Sequence, residues 1–337
     1  LQTNFNPSVR EEAMFNYALT CYETTSAFGE SIAAFSRFLS EFPNSKYADE
    51  AYQYLTSVYL TTKNYELAYQ SIQKIKNLNA SLRETKQYLL YQLGVDAFTQ
   101  QNYEKAIDYF TLSLENSSTG KYAAESLFWR SECFYRTNQI TKAVKDLETF
   151  VKNPLSKNSK NLTKAYYSLG YVYFGQQKYS KAMDWFLKYL EVESDANSTL
   201  YADALNRIGD CYFYARNFKN ARDYYEKAAT ASPGTGDYSV FQAAYAAGLQ
   251  KNYLDKIYRL EELLVKYPNS EYADEALYEI GRSYLMLKNE KMALSSYQRL
   301  MERFPNSAMS RKAALECGMI YFNRRDYDNA IAAFKKV

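Results

Sequence analysis

One small residue returns along this chain at an almost fixed interval. Ala68, Ala106, Ala143, Ala182, Ala221, Ala293 and Ala330 sit in near-identical local frames, and Ser31 and Lys256 fill the two remaining slots. The successive spacings are 37, 38, 37, 39, 39, 35, 37 and 37 residues. A period of this length and regularity marks a repeat array, in which each unit buries its apolar face only against its neighbours. Such a stack offers a surface for holding other molecules and few places for chemistry.

Counting outward from the small slot (position 0) defines the unit. Position −12 carries Gly94, Gly170, Gly209, Gly281 and Gly318, with Thr56, Ser131 and Ala244 in three other units. Position −3 is aromatic in Phe28, Tyr65, Tyr103, Tyr179, Phe218, Tyr253 and Tyr327, and position +4 in Phe35, Phe110, Phe186, Tyr225, Tyr297 and Phe334. Small and large residues alternate at helical spacing, which predicts two tightly packed amphipathic helices per unit. Pro43, Pro233, Pro268 and Pro305 fall at +12, with Pro7 and Pro154 within a residue of that phase, so every proline is expected between units. A phrase also recurs, Pro43-Asn44-Ser45 before Tyr47-Ala48-Asp49-Glu50-Ala51 and Pro268-Asn269-Ser270 before Tyr272-Ala273-Asp274-Glu275-Ala276. Ser45 and Ser270 are expected as N-caps, with the acids that follow at the positive end of a helix.

Each unit therefore reads as helix A, a short turn, helix B and a loop. Helix A is predicted over 11–23, 48–61, 85–99, 122–136, 163–175, 200–215, 238–249, 272–287 and 308–323. This pattern resembles the tetratricopeptide repeat (TPR) family over essentially the whole chain, although the period is about 37 residues against the family's 34. The resemblance implies an all-α fold, a right-handed superhelical α-solenoid of about nine units spanning 1–337. The longer unit with its Phe-Pro-Asn-Ser-x-Tyr-Ala-Asp-Glu-Ala phrase is similar to bacterial cell-envelope TPR proteins of the TolA-binding and outer-membrane assembly types. That likeness implies a periplasmic or envelope location. Four cysteines widely spaced in sequence sit awkwardly with an oxidising compartment, so the cytoplasm is the alternative.

Composition removes several functions. The chain has no histidine, which excludes Ser-His-Asp and Cys-His catalysis and His-ligated metal. Cys21, Cys133, Cys211 and Cys317 are far apart in sequence and form no CxxC motif, so they read as buried small hydrophobes. With 41 basic and 38 acidic residues, a nucleic-acid partner is not expected. The lysines of the 152–164 loop read as a solvated connector. No apolar run is long enough to span a membrane. No enzyme and no cofactor are expected.

In TPR proteins helix A lines the concave face, and its exposed positions there are −18, −15, −11 and −8. In units 3 to 7 the candidates for a ligand groove are Tyr88, Tyr91, Phe98, Glu125, Phe128, Glu132, Tyr135, Tyr167, Tyr171, Phe174, Asp203, Asp210, Phe213, Tyr238, Phe241 and Tyr245. Twelve of the twenty residues at these positions are aromatic, against 17% of the chain, whereas units 1, 2, 8 and 9 supply only Tyr278 and Phe322. Rings with polar tips give large contact area at low entropy cost, and the interspersed acids would complement Lys or Arg. The competing reading buries these rings against neighbouring A helices. The carboxylate clamp of chaperone-binding TPR proteins is not matched, since Asn16 and Thr20 occupy its first positions in unit 1.

The leading expectation is a non-catalytic scaffold for a protein or extended peptide, and the alternative is a glycan-binding module of nutrient uptake. Unit 7 is irregular. Its spacing is shortest, Lys256 fills its small slot, and Ser232-Pro233-Gly234-Thr235-Gly236 precedes it. A change of superhelical direction is expected near 230–240. Leu1–Phe5 matches Leu300–Phe304 and Val337 stops at the equivalent phase, so the array is expected to be a segment of a longer one.

Overall fold

A computed structural model describes residues 6–24 and 28–337. Among these the ordered elements are helices, arranged as nine successive hairpins. In chain order they are α1 (Pro7–Thr24) with α2 (Phe28–Glu41), α3 (Ala48–Thr61) with α4 (Tyr65–Ile72), and α5 (Ala80–Thr99) with α6 (Tyr103–Asn116). Next come α7 (Ala123–Arg136) with α8 (Ile140–Lys152), α9 (Leu162–Gly175) with α10 (Tyr179–Val192), and α11 (Thr199–Tyr214) with α12 (Phe218–Ala231). The last are α13 (Asp237–Leu249) with α14 (Tyr253–Lys266), α15 (Ala273–Met286) with α16 (Glu290–Arg303), and α17 (Ala308–Asn323) with α18 (Tyr327–Phe334). The chain divides into two compact units, Leu1–Ala165 and Tyr166–Val337. Within each unit consecutive helices pack on one another, α1 to α8 in the first and α10 to α18 in the second. The match of Leu1–Phe5 to the end of a helix lies outside the described residues.

The repeat frame explains the packing. Every alanine in the slot is buried, and at −12 a glycine receives the +4 ring of the same hairpin. A Cβ on Gly94 would stand 2.6 Å from Phe110, one on Gly209 2.6 Å from Tyr225, and one on Gly170 2.7 Å from Phe186. The small residue at −12 therefore serves the crossing of the two helices within one hairpin, where ring and backbone touch directly.

The A-to-B turn has a feature that residue types alone conceal. At −5 the backbone is left-handed in Lys63, Gln101, Asn138, Gln177, Arg216, Lys251, Lys288 and Arg325, with φ of 57–65° and no glycine among them. The next residue closes helix A and opens helix B. The Asn64 amide donates to the Tyr59 carbonyl at 2.8 Å, while its side chain accepts from the Leu67 amide at 3.4 Å. Asn102, Asn217, Asn252, Asn289 and Asp326 repeat that side-chain cap. One residue thus satisfies orphan groups of both helices.

Some local expectations need correction. Pro7 begins α1 and so lies inside a helix, at the first position, where its missing N–H is not needed. Ser45 and Ser270 accept from Tyr47 and Tyr272 amides in the turn before the helix, and α3 and α15 start later without a side-chain cap.

Lys256 fits the small slot because its surroundings changed with it. It is buried and ion-paired with Glu279. Its Cδ lies 2.6 Å from where a Cβ on Gly248 would stand. Units with alanine in the slot carry a large residue at −8 (Phe98, Phe174, Phe213), and unit 7 has Gly248 there. Volume gained at one position is released at the other.

Candidate functional site

Helix A offers four positions per unit to its exposed side, and the next unit consumes two of them. Near −18, an acid on helix A accepts a hydrogen bond from the serine of the following Pro-Asn-Ser-type loop. Ser45 donates to Glu11, Ser159 to Glu125, Ser270 to Asp237 at 2.8 Å and Ser307 to Asp274. Asn161 adds a 2.8 Å bond to Glu125. Near −15, the tyrosine that ends the loop phrase lies back over the preceding unit. Tyr47 stacks on Phe15 at 4.7 Å, Tyr122 on Tyr91 at 5.6 Å and Tyr272 on Phe241 at 5.0 Å.

These clamps correct part of the expected groove. Phe128 and Phe241 are buried and belong to the core. Glu125 is spent on joining units. Tyr88 sits half-buried between Tyr65 and Tyr122, and Tyr91 is half-buried with burial pushing its hydroxyl up to about 12. Glu132 pairs with Lys164 at 3.0 Å, and that lysine also lies over the Phe128 ring. Phe98 packs edge-to-face on Tyr103 and Trp129 beneath Arg136. Tyr135 is the one aromatic candidate of the first unit classed as exposed, at 59%.

In the second unit the acidic candidates are joined into one network. Tyr167 donates to Asp203 at 2.8 Å, and Tyr171 donates to the same oxygen. Arg207 reaches Asp203 at 3.5 Å and Asp210 at 2.6 Å. Tyr225 and Tyr238 both donate to Asp210 Oδ1 at 2.7 Å. Burial pushes the Asp210 carboxyl upward, against the opposing pull of Arg207 and the two hydroxyls. Burial works against the Arg207 charge as well, but Asp210, Tyr238 and Asp203 hold it above its ordinary value. Asp210 is buried and is a junction between hairpins, not a groove acid. Phe174 and Phe213 are half-buried against Tyr179 and Phe218, and Tyr245 lies half-buried under Lys256.

What stays open lies one turn further along helix A, at −11, −8 and −7. In the second unit Tyr171, Tyr214, Leu249, Met286, Met319 and Phe322 occupy these positions with exposures of 38–61%. Sequence reasoning missed Tyr214, Leu249 and Met286, because −7 lay outside the four expected positions. Burial pushes the Cys133 and Cys211 thiols up to about 12 and Cys317 up to about 11, which disfavours the reactive thiolate at neutral pH. Among the described residues no cluster of three or more acids and cysteines could hold a metal, and no helix is long and apolar enough to cross a membrane.

Successive helical hairpins with a buried small slot and an open row on helix A define an α-solenoid repeat protein. Sequence profiles of the tetratricopeptide repeat match residues 91–154, 161–233, 275–307 and 313–337, together more than half of the chain. The chain belongs to the tetratricopeptide repeat family, whose arrays are protein-interaction scaffolds and generally non-catalytic. Among solved structures, the C-terminal part of a TPR repeat-containing protein from Cytophaga hutchinsonii superposes with a TM-score of 0.56 at 20% identity, covering 73% of this chain and 93% of that one. YrrB, described as a TPR protein with an unusual peptide-binding site, gives 0.47 at 18% identity over 60% of this chain and 96% of its own. MamA gives 0.45 at 20% over 53% and 91%. At such identities the likeness is one of fold. No curated protein matches the chain.

Proposed function

We propose that this protein is a non-catalytic scaffold that holds an extended peptide segment of a partner protein along the open row of helix A. The observation that carries this reading is the run of large apolar side chains left exposed at −11, −8 and −7 in successive hairpins, Tyr171, Tyr214, Leu249, Met286, Met319 and Phe322. Isolated exposed apolar residues are ordinary, but a row repeated on the same helix face is a recognition surface. Tyrosine and methionine suit it, one as a rigid anchor with a polar tip and the other as an adaptable contact. We extend the proposal to an assembly in the cell envelope, on the likeness of the Pro-Asn-Ser phrase to envelope proteins.

Parallel peptide and glycan arrays test the ligand class. Peptides are expected to bind, and a Met286→Ala, Met319→Ala double variant with an unchanged melting curve is expected to lose at least about tenfold in affinity, as two contacts of a recognition surface should. Binding to glycans alone, or peptide binding indifferent to the double variant, would sink the reading.

A further inference from the structure

Four hairpins share an aromatic pair that unit 7 leaves half-made. The −8 ring stands edge-to-face on the −3 ring in Phe98–Tyr103 at 5.5 Å, Phe174–Tyr179 at 5.5 Å, Phe213–Phe218 at 5.4 Å and Phe322–Tyr327 at 5.7 Å. Unit 7 keeps the −3 ring, Tyr253, but its −8 residue is Gly248. The Lys256 stem lies against Gly248 and its ammonium runs across the Tyr245 ring to Glu279. A cavity of about 190 Å³ is left between these groups, with Tyr253 on one wall and Arg282 and Met286 on the other. A dry protein cavity of about 150 Å³ is known to hold benzene, so a phenyl ring fits.

Glu279 is shared between Lys256 and Arg282, the latter at 3.0 Å, and Glu275 acts on the same Lys256–Glu279 pair. The Arg282 side chain is 55% exposed and, bonded to Glu279 through one nitrogen, keeps further N–H donors at the rim. Met286 forms an exposed, adaptable rim.

We propose that this notch receives one aromatic side chain of a bound peptide, with an acidic residue beside it pairing with Arg282. The guest ring packs on Tyr253 beside the Lys256 stem, which already occupies the space of the absent −8 ring. The position of the notch beside the open row of helix A makes it the place where an otherwise repetitive surface reads sequence. This inference rests on the peptide-scaffold reading and names the residue type that reading requires at one point.

Ligand-observed NMR titration of the whole chain with N-acetyl-Asp-Phe-amide and N-acetyl-Asp-Ala-amide tests it. The phenylalanine probe is expected to bind saturably and at least about tenfold more tightly than the alanine probe, the loss expected when an aromatic side chain and its contacts with Tyr253 and Met286 are removed. Gly248→Phe combined with Lys256→Ala rebuilds the regular unit and is expected to abolish binding of the probe; because it leaves buried Glu279 with Arg282 alone, circular dichroism checks that the variant is folded before it is titrated. Equal binding of the two probes to the unmodified chain, which needs no variant to fold, overturns the proposal. So does retention of the phenylalanine probe by the rebuilt double variant. Peptides selected on the array report separately on the wider reading. If they bind while the probe experiment fails, the notch alone is wrong.

Discussion

Replacing Asp210 with alanine is expected to destabilise the second unit by roughly 3 kcal/mol or more, the usual result of removing one partner from a buried ion pair. Three groups lose their acceptor at once, since Arg207, Tyr225 and Tyr238 all converge on this carboxylate. The Arg207 side chain is only 21% exposed, so its charge would be left largely without solvent. Removing both charges with Asp210→Leu and Arg207→Met is expected to cost less than the single change, because no buried unpaired cation remains and Asp203 keeps the hydrogen bonds from Tyr167 and Tyr171. Urea melts of the single variant, the double variant and the parent decide the matter. Hydrogen exchange in Asp210→Ala is expected to rise first in α11, α12 and α13, which the network joins. A single variant within about 1 kcal/mol of the parent would show that the network contributes no more than an exposed pair does.

Alkaline unfolding is the second large effect. Burial pushes the Tyr91 and Tyr189 hydroxyls up to about 12, and it carries Tyr225, Tyr238 and Tyr297 further in the same direction. An unfolded tyrosine ionises near 10. Between pH 10 and 12 the unfolded chain therefore binds fewer protons than the folded one, and stability falls as pH rises. The contribution is fully present below pH 10 and is lost through pH 12. Raising the ionisation of one buried hydroxyl from pH 10 to pH 12 corresponds to about 2.7 kcal/mol, so a handful of such tyrosines is enough to unfold a protein of ordinary stability. Denaturant midpoints at pH 8, 10 and 11.5, read together with tyrosinate absorbance, check this. The midpoint is expected to drop steeply above pH 10, with a late burst of tyrosinate on unfolding. All tyrosines titrating near 10 with an unchanged midpoint would contradict the burial argument.

The architecture was legible because the period and the small-large alternation follow directly from helix geometry. Predicted bounds for helix A agree with α3 and α17 to the residue, and differ most at α1 and α5, which start earlier at Pro7 and Ala80. At α5 the Asn79 side chain accepts from the Leu82 amide and caps an extra turn that lies before the repeat's usual phase. The left-handed residue at −5 was invisible, since Lys, Gln, Asn and Arg share no feature that announces positive φ. The candidate site was legible only in part. Position within a unit can be counted from sequence, but whether the next unit covers it cannot. The residues that provide that cover are nevertheless conspicuous in the sequence. The recurring Ser and Tyr of the loop phrase are the groups that clamp Glu11 and Asp237 and lie over Phe241. Their reach is a three-dimensional property, and sequence alone reads them only as a helix start.

The central claim is that a peptide lies on the open row of helix A. Hydroxyl-radical footprinting of the chain, alone and saturated with an array-selected peptide, tests it most directly. Protection is expected at Tyr171, Tyr214, Leu249, Met286 and Phe322. The exposed residues Leu254, Tyr258 and Val265 on α14 serve as the control and are expected to react equally in both samples. Protection of the α14 residues with the helix A row unchanged would contradict the account.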